Sequence, residues 1–191
     1  MTDAAPPTRA VDDACPFCAI SSAHVPYDPL NPPKTISPTT TTPSSFVALS
    51  TPTLIAFLDI LPLSRGHLLL CPRAHRPKLT DASAHEARSL GYYARILSAA
   101  LARATGVQDW NVLQNNGAAA AQVVAHMHFH LIPRPEIRAS GRFRESFTMF
   151  GRGQREELDD DDAEVFVAEL RRHVADVLRE DKDEEGYKIK L

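Results

Sequence analysis

The chain has 191 residues, 43% of them hydrophobic and 24% charged, with a formal net charge of −3. That is enough for one ordinary domain with an appendage, in the balance of a globular protein. The charge argues against a dedicated nucleic-acid binder, and no apolar run approaches the length of a membrane span.

Met1 to Ala14 reads as a disordered tail. Its opening residues lack the apolar core of a secretory signal, so an intracellular protein, cytoplasmic or nuclear, is expected. Two of the three cysteines then stand as Cys15-Pro16-Phe17-Cys18. In a reduced compartment C-x-x-C reads as metal or redox. A thioredoxin-type pair wants a strand before it, and none is suggested here. That favours zinc, provided two more ligands lie downstream. From Val25 to Ser45 come six prolines and the run Thr39–Thr42. This composition predicts an exposed loop or insertion without regular structure.

Strand signals follow. Phe46–Leu49 and Leu54–Asp59 are apolar runs joined by the turn-like Ser50–Thr53. A carboxylate at the end of a buried strand, Asp59, suggests a hydrogen-bonding task, with ribose hydroxyls or a turn as candidate partners. Gly66–Pro72 is a third strand, opened by His67, closed by proline, and containing Cys71 as a buried, inert thiol. His75 lies in the loop beyond it. Asp81–Thr105 has Leu90, Tyr93, Ala94, Leu97 and Leu101 at helical spacing and ends at Gly106. Trp110–Gln114 is a fourth strand. Asn115 to Gln122 is a small-residue loop that a ligand could approach closely, so that its N–H groups reach a phosphate.

Next comes His126-Met127-His128-Phe129-His130-Leu131-Ile132-Pro133. Alternation at period two predicts a half-buried strand, with Met127, Phe129 and Leu131 on one face and the histidines, about 7 Å apart, on the other. Imidazole is both the commonest general acid–base and a common metal ligand, so three in a row point to chemistry rather than packing. After Pro135, Arg142, Arg144, Arg152 and Arg155 punctuate a Gly-containing stretch. An acidic run then leads into a helix of about 163–179, whose apolar face carries Phe166, Leu170, Val174, Val177 and Leu178.

The histidine run, preceded by Asn115, Gly117 and Gln122, resembles the histidine-triad (HIT) nucleotide-binding family. Ala56–Ile60 and Gly66–His75 resemble that family's earlier motifs in the expected order. The likeness covers about residues 15–135 and matches the Hint-like branch with an N-terminal C-x-x-C. It implies an α+β fold, a five-stranded antiparallel sheet with a long helix, to which this chain adds a C-terminal helical extension after about residue 140. It also implies a homodimer and a purine nucleotide of AMP type, bound without nucleic acid or membrane. The implied reaction is cleavage at the α-phosphate of nucleoside phosphoramidates, acyl adenylates or dinucleoside polyphosphates.

By that resemblance His128 is the nucleophile, and Asp59 with Ile60 beside it meets the ribose. Asn115, Gln122 and His130 contact the phosphate and leaving group. His75 and His126 complete a structural Cys15/Cys18 zinc site, which takes His126 out of the chemistry. The chemistry is self-consistent: a neutral imidazole is a competent nucleophile near pH 7, and its phosphorus adduct is labile to water. Two positions depart from the pattern. Val123 stands where many relatives place Ser or Thr, and Ala121 where Gly is usual, which puts the preferred leaving group in question. A nucleotidyltransferase or phosphorylase is one alternative, though His130 argues against the sugar-phosphate branch. A DNA-end deadenylase is another, against which stands the lack of any cysteine beyond Cys71. The third is a non-catalytic nucleotide-binding regulator.

Overall fold

The computed structural model describes residues 12, 14–135 and 157–188, with side chains to 182. The tail before Asp12 and the arginine-punctuated stretch from Arg142 to Arg155 lie outside the described residues. Strand β1 (Val47–Ser50) and strand β2 (Leu54–Leu58) pair antiparallel. Thr51 closes their turn, its hydroxyl accepting from the Leu54 N–H at 2.9 Å. Strand β3 (Leu68–Pro72) adds to β2, and Pro72, with no N–H to give, ends it. Helix α2 (Ala84–Thr105) starts at a capping box, Ser83 accepting from the Glu86 N–H while Glu86 accepts from the Ser83 N–H. It ends at Gly106 in the left-handed conformation, φ 68°. Strand β4 (Trp110–Gln114) and strand β5 (Phe129–Pro133) complete one antiparallel sheet of order β1-β2-β3-β5-β4.

The histidine run is only half paired. β5 begins at Phe129, and His126 to His128 precede it. The ladder explains why: Phe129 is the last residue with partners on both sides, Leu70 of β3 and Gln114 of β4, after which β4 turns away. The alternation nonetheless continues through the unpaired part. Met127 is buried in the same core as Leu131, while His126 and His128 face the other way.

Register assigns the two faces. Val47, Phe57, Leu69 and His130 are successive cross-strand neighbours and share the face that carries the site. The opposite face, with Leu54, Ala56, Leu68, Leu70 and Leu131, packs under α2 and the terminal helix α3 (Asp160–Lys188). Asp159 begins α3 by accepting from the Asp162 N–H at 3.0 Å. The five apolar residues expected to face the core do so. Burying Phe166 alone contributes about 1.5–3 kcal/mol. Arg171, a charged residue on the same helix, is buried as well. It donates to the carbonyls of Val47 at 2.8 Å and Lys34 at 3.2 Å, tying α3 to β1 and to the proline-rich segment.

Unforeseen from the sequence is a short helix α1 (Pro16–Ala23), begun by Pro16 at its first position and carrying the C-x-x-C pair. Arg73 fixes its C-terminal end. The guanidinium donates to the carbonyls of Ser21, His24 and Thr51 and to the Ser50 hydroxyl. Among the described residues no helix is long and apolar enough to cross a membrane.

Candidate functional site

A cleft of about 550 Å³ opens on the sheet face away from α2 and α3. Topology gives it two ends. His128, His130, Asn115, Ala121, Val123 and Val124 lie toward β5 and β4. Phe17, Ile20 and Ala23 of α1, with Phe57 and the segment Thr40–Ser45, lie toward β2 and β1. Asp59 and Ile60 stand between, just past the end of β2. The cleft therefore gathers Asp59, Ile60, Asn115, His128 and His130 from residues far apart in sequence.

Hydrogen bonds fix which nitrogen of each imidazole holds a proton, because a carbonyl can only accept and a backbone N–H can only donate. His128 Nδ1 lies 2.7 Å from the His126 carbonyl and must donate to it, so Nε2 carries the lone pair. Burial pushes the His128 pKa down, against smaller opposing effects of that bond and of Asp59, so the ring stays neutral. Phe17 sits edge-on to it, ring centroids 5.1 Å apart, limiting its rotation. His67 is set the opposite way. Its Nδ1 accepts from the Leu63 N–H at 3.1 Å, so Nε2 carries the proton and donates to His130 Nδ1 at 2.9 Å. His130 is thereby a neutral ring with its proton on Nε2. The cleft presents one bare imidazole nitrogen beside one N–H donor.

Asp59 Oδ2 lies 3.6 Å from His67 Nε2, and Asp59 Oδ1 accepts from the Leu61 N–H at 2.9 Å. The atoms of Asp59, His67 and His130 lie close enough together to suggest a cation site. The tautomer excludes it: with Nδ1 engaged by an N–H, His67 Nε2 has no lone pair for a metal. What the group does is hold the His130 ring in one tautomer. His67 is a site residue that its sequence neighbours do not announce, since its partner is 63 residues away.

A second cluster has the opposite character. Cys15, Cys18, His75 and His126 bring four donor atoms within 4.8 Å of one another. The His126 Nε2–H donates to the Pro72 carbonyl at 2.8 Å, leaving Nδ1 as the lone-pair atom, 3.5 Å from Cys15 Sγ and 3.6 Å from Cys18 Sγ. His75 Nδ1 is 3.5 Å from Cys18 Sγ. Metal–sulfur bonds of about 2.3 Å and metal–nitrogen bonds of about 2.0–2.1 Å at a tetrahedral angle require an S···N separation of about 3.6 Å. The cluster has that spacing, and the pair of downstream ligands that C-x-x-C called for is present. Cys71 stays apart as a buried thiol whose pKa burial raises.

A family model described as HIT domain matches residues 40–137. The chain belongs to the HIT family. It is 37% identical over 124 residues to an adenosine 5'-monophosphoramidase of Saccharomyces cerevisiae, covering 65% of each chain. It is 42% identical over 82 residues to an adenylylsulfatase of Arabidopsis thaliana, covering 43% of this chain and 42% of that one. The chain thus spans less than two thirds of the length of both relatives. A crystal structure described as a Zn-bound histidine triad family protein from Mycobacterium smegmatis matches with a TM-score of 0.61 and 25% identity. That match covers 86% of this chain and 95% of that one.

Within this HIT domain, the loop from Asn115 to Gln122 differs from the expected phosphate cradle. Gln122 does not line the cleft. It is buried and acts as a clasp, its Oε1 accepting from the Gly117 N–H at 2.6 Å. Its Nε2 donates to the carbonyls of Pro77 at 2.7 Å and Val124 at 3.0 Å. The N–H groups of Gly117, Ala120, Ala121 and Gln122 all turn inward to partners within the loop. These four donors are thus spent on the loop's own shape. Ala121 sits at φ 62°, a left-handed conformation that explains why glycine suits this position. Val123 lines the cleft with its side chain 95% exposed, offering methyl groups where a hydroxyl would be polar.

Proposed function

We propose that this HIT protein hydrolyses purine nucleotides at the α-phosphate through a nucleotidyl-histidine intermediate on His128. The observation that carries the reading is the tautomer pair in the cleft, a bare His128 Nε2 beside the His130 Nε2–H. Nucleoside phosphoramidates are the first candidates and acyl adenylates the second, in keeping with the activities of the yeast and plant relatives. Dinucleoside polyphosphates share the same α-phosphate and complete the set.

The steps follow from the groups present. The α-phosphate lies between His128, His130 and the Asn115 side chain, with Asp59 and Ile60 along the ribose. The His128 Nε2 lone pair forms a bond to phosphorus as the bond to the leaving group breaks, and the leaving group departs with the bonding pair, an amine taking up a proton from solvent as it goes. The His126 carbonyl, accepting from Nδ1, stabilises the positive charge that the ring then carries. His130 donates to a phosphoryl oxygen, and the Leu63 N–H acting through His67 keeps it in the donor form. Water then attacks phosphorus on the adduct and returns the neutral imidazole.

Cys15, Cys18, His75 and His126 would hold zinc through two thiolates and two Nδ1 atoms. With four protein ligands such a site keeps no open position and is structural, supplying folding free energy rather than chemistry. It anchors α1, and with it Phe17 and Ile20, over the cleft. Two copies of the chain are expected to pair along β4, one of the two edge strands, whose Trp110 and Val112 are 41% and 44% exposed.

A panel of adenosine and guanosine phosphoramidates, acyl adenylates and dinucleoside polyphosphates, with products separated by chromatography, tests the reading. Release of AMP or GMP is expected. Binding of these nucleotides with no turnover of any would instead favour a regulatory binding protein.

A further inference from the structure

The end of the cleft toward β2 and β1 has two kinds of surface. Its floor is apolar: Phe17 and Ile20 from α1, and Phe57, whose ring meets Phe17 edge-on with centroids 5.2 Å apart. Such a floor accepts the face of any base and cannot tell one from another. The wall opposite is the Thr40–Ser45 segment, and it is built almost wholly of hydroxyls. These hydroxyls are not free rotors. His24, buried at the end of α1, holds Ser45 Oγ at 2.8 Å and Thr40 Oγ1 at 3.1 Å through Nε2. Thr41 Oγ1 is 2.8 Å from Ser45 Oγ and 2.9 Å from the Pro43 carbonyl. Burial, and then the charge of Arg73, lower the His24 pKa, so the anchor is a neutral ring.

Resting on the nucleotide reading above, we propose that Thr40 and Thr41 read the edge of the purine, and that His24 is the residue that positions them. With the phosphate at His128 and the ribose at Asp59, the base extends toward β2 and β1, over Phe57 and up to this wall. A hydroxyl has one proton and two lone pairs, so each of the two keeps capacity for one more bond after its place in the network is filled. Thr40 donates its proton to the Ser37 carbonyl at 3.3 Å and Thr41 to that of Pro43, so what each has left is a lone pair, and the two together match the N–H groups of adenine's exocyclic amine. A site that makes such bonds discriminates against an analogue lacking the polar group, because its own groups are then left unpaired.

The test is calorimetric titration of the full chain with AMP, purine riboside 5'-monophosphate, which lacks the exocyclic amine, and ribose 5-phosphate. Wild type should bind AMP about tenfold or more tighter than the purine riboside compound, one well-made hydrogen bond. Thr40→Val and Thr41→Val, each of unchanged shape, should bring that ratio toward one. His24→Phe should do the same, and His24→Gln, which places an amide near the Nε2 position, should restore it. A merely structural role for His24 would not be rescued in the ratio. A ratio the same in both threonine variants as in wild type overturns the base-reading role and leaves the nucleotide in the cleft. AMP binding no tighter than ribose 5-phosphate in wild type overturns both the role and the reading beneath it.

Discussion

Replacing Gln122 by alanine removes three hydrogen bonds in one step: one accepted from the Gly117 N–H and two donated to the carbonyls of Pro77 and Val124. At about 1 kcal/mol each the loss is about 3 kcal/mol, and a buried N–H left unpaired adds to it. For a chain of this size that is about 6–12 °C in melting temperature. Gln122→Glu keeps the acceptor for Gly117 but sets a carboxylate against two carbonyls, so it should fall at least as far. Thermal unfolding followed by circular dichroism measures the shift, and AMP titration of the same variants below their transition separates fold from function. The expected result is a large loss of stability with nucleotide affinity reduced only as far as the loop loses its shape. A variant melting within about 2 °C of wild type, yet unable to bind the phosphate, would make Gln122 a ligand contact and refute the clasp.

Further outcomes are expected. Purified protein should hold close to one zinc per chain, and Cys15→Ser should lose it and melt earlier; a metal-free preparation of full stability would rule out the structural site. Asp59→Ala should weaken ribonucleotide binding about ten- to a hundredfold, the loss of a charge-assisted hydrogen bond of about 1.5–3 kcal/mol. It should weaken deoxyribonucleotide binding much less, and equal losses would leave Asp59 as a turn residue. Burial acts to raise the Glu86 pKa, but the Ser83 bonds and Arg76 outweigh it and hold the carboxyl below its usual range. Its stabilisation is therefore present above the ordinary value of about 4.3 and is lost as pH falls through the lowered one. The gap in urea midpoint between wild type and Glu86→Gln should accordingly be full at pH 7 and close on acidification, and a gap independent of pH would contradict this.

Local patterns were readable without coordinates where a residue's task is set by its neighbours in sequence. The strands around Ala56 and Leu70, the start and stop of α2 at Ser83 and Gly106, and the apolar face of α3 are all of that kind. The alternation from His126 to Leu131 assigned both faces correctly even though only Phe129 onward is paired. What the sequence hid is long-range. His67 looks like any residue opening a strand until β5 brings His130 to 2.9 Å. Arg171 falls at the edge of the buried face, four residues from Val167 and three from Val174, yet its charge suggests solvent until β1 and the proline-rich segment offer their carbonyls. α1 is eight residues long, too short for a periodic signal, and is held by Arg73 and the Cys/His cluster rather than by propensity. The Thr40–Ser45 segment reads as a tolerated insertion because nothing in its composition announces that it folds back onto the cleft.

The nucleotidyl adduct on His128 can be measured directly. Wild-type protein mixed with an adenylate substrate is quenched within one turnover, digested at neutral to alkaline pH and mapped by mass spectrometry. AMP should be found on the peptide containing His128 and on no other histidine. His128→Asn should bind AMP, show no adduct and release no product, since an amide nitrogen is not nucleophilic. An adduct on His130 or His75, or full turnover by the His128 variant, would contradict the assignment and the mechanism with it.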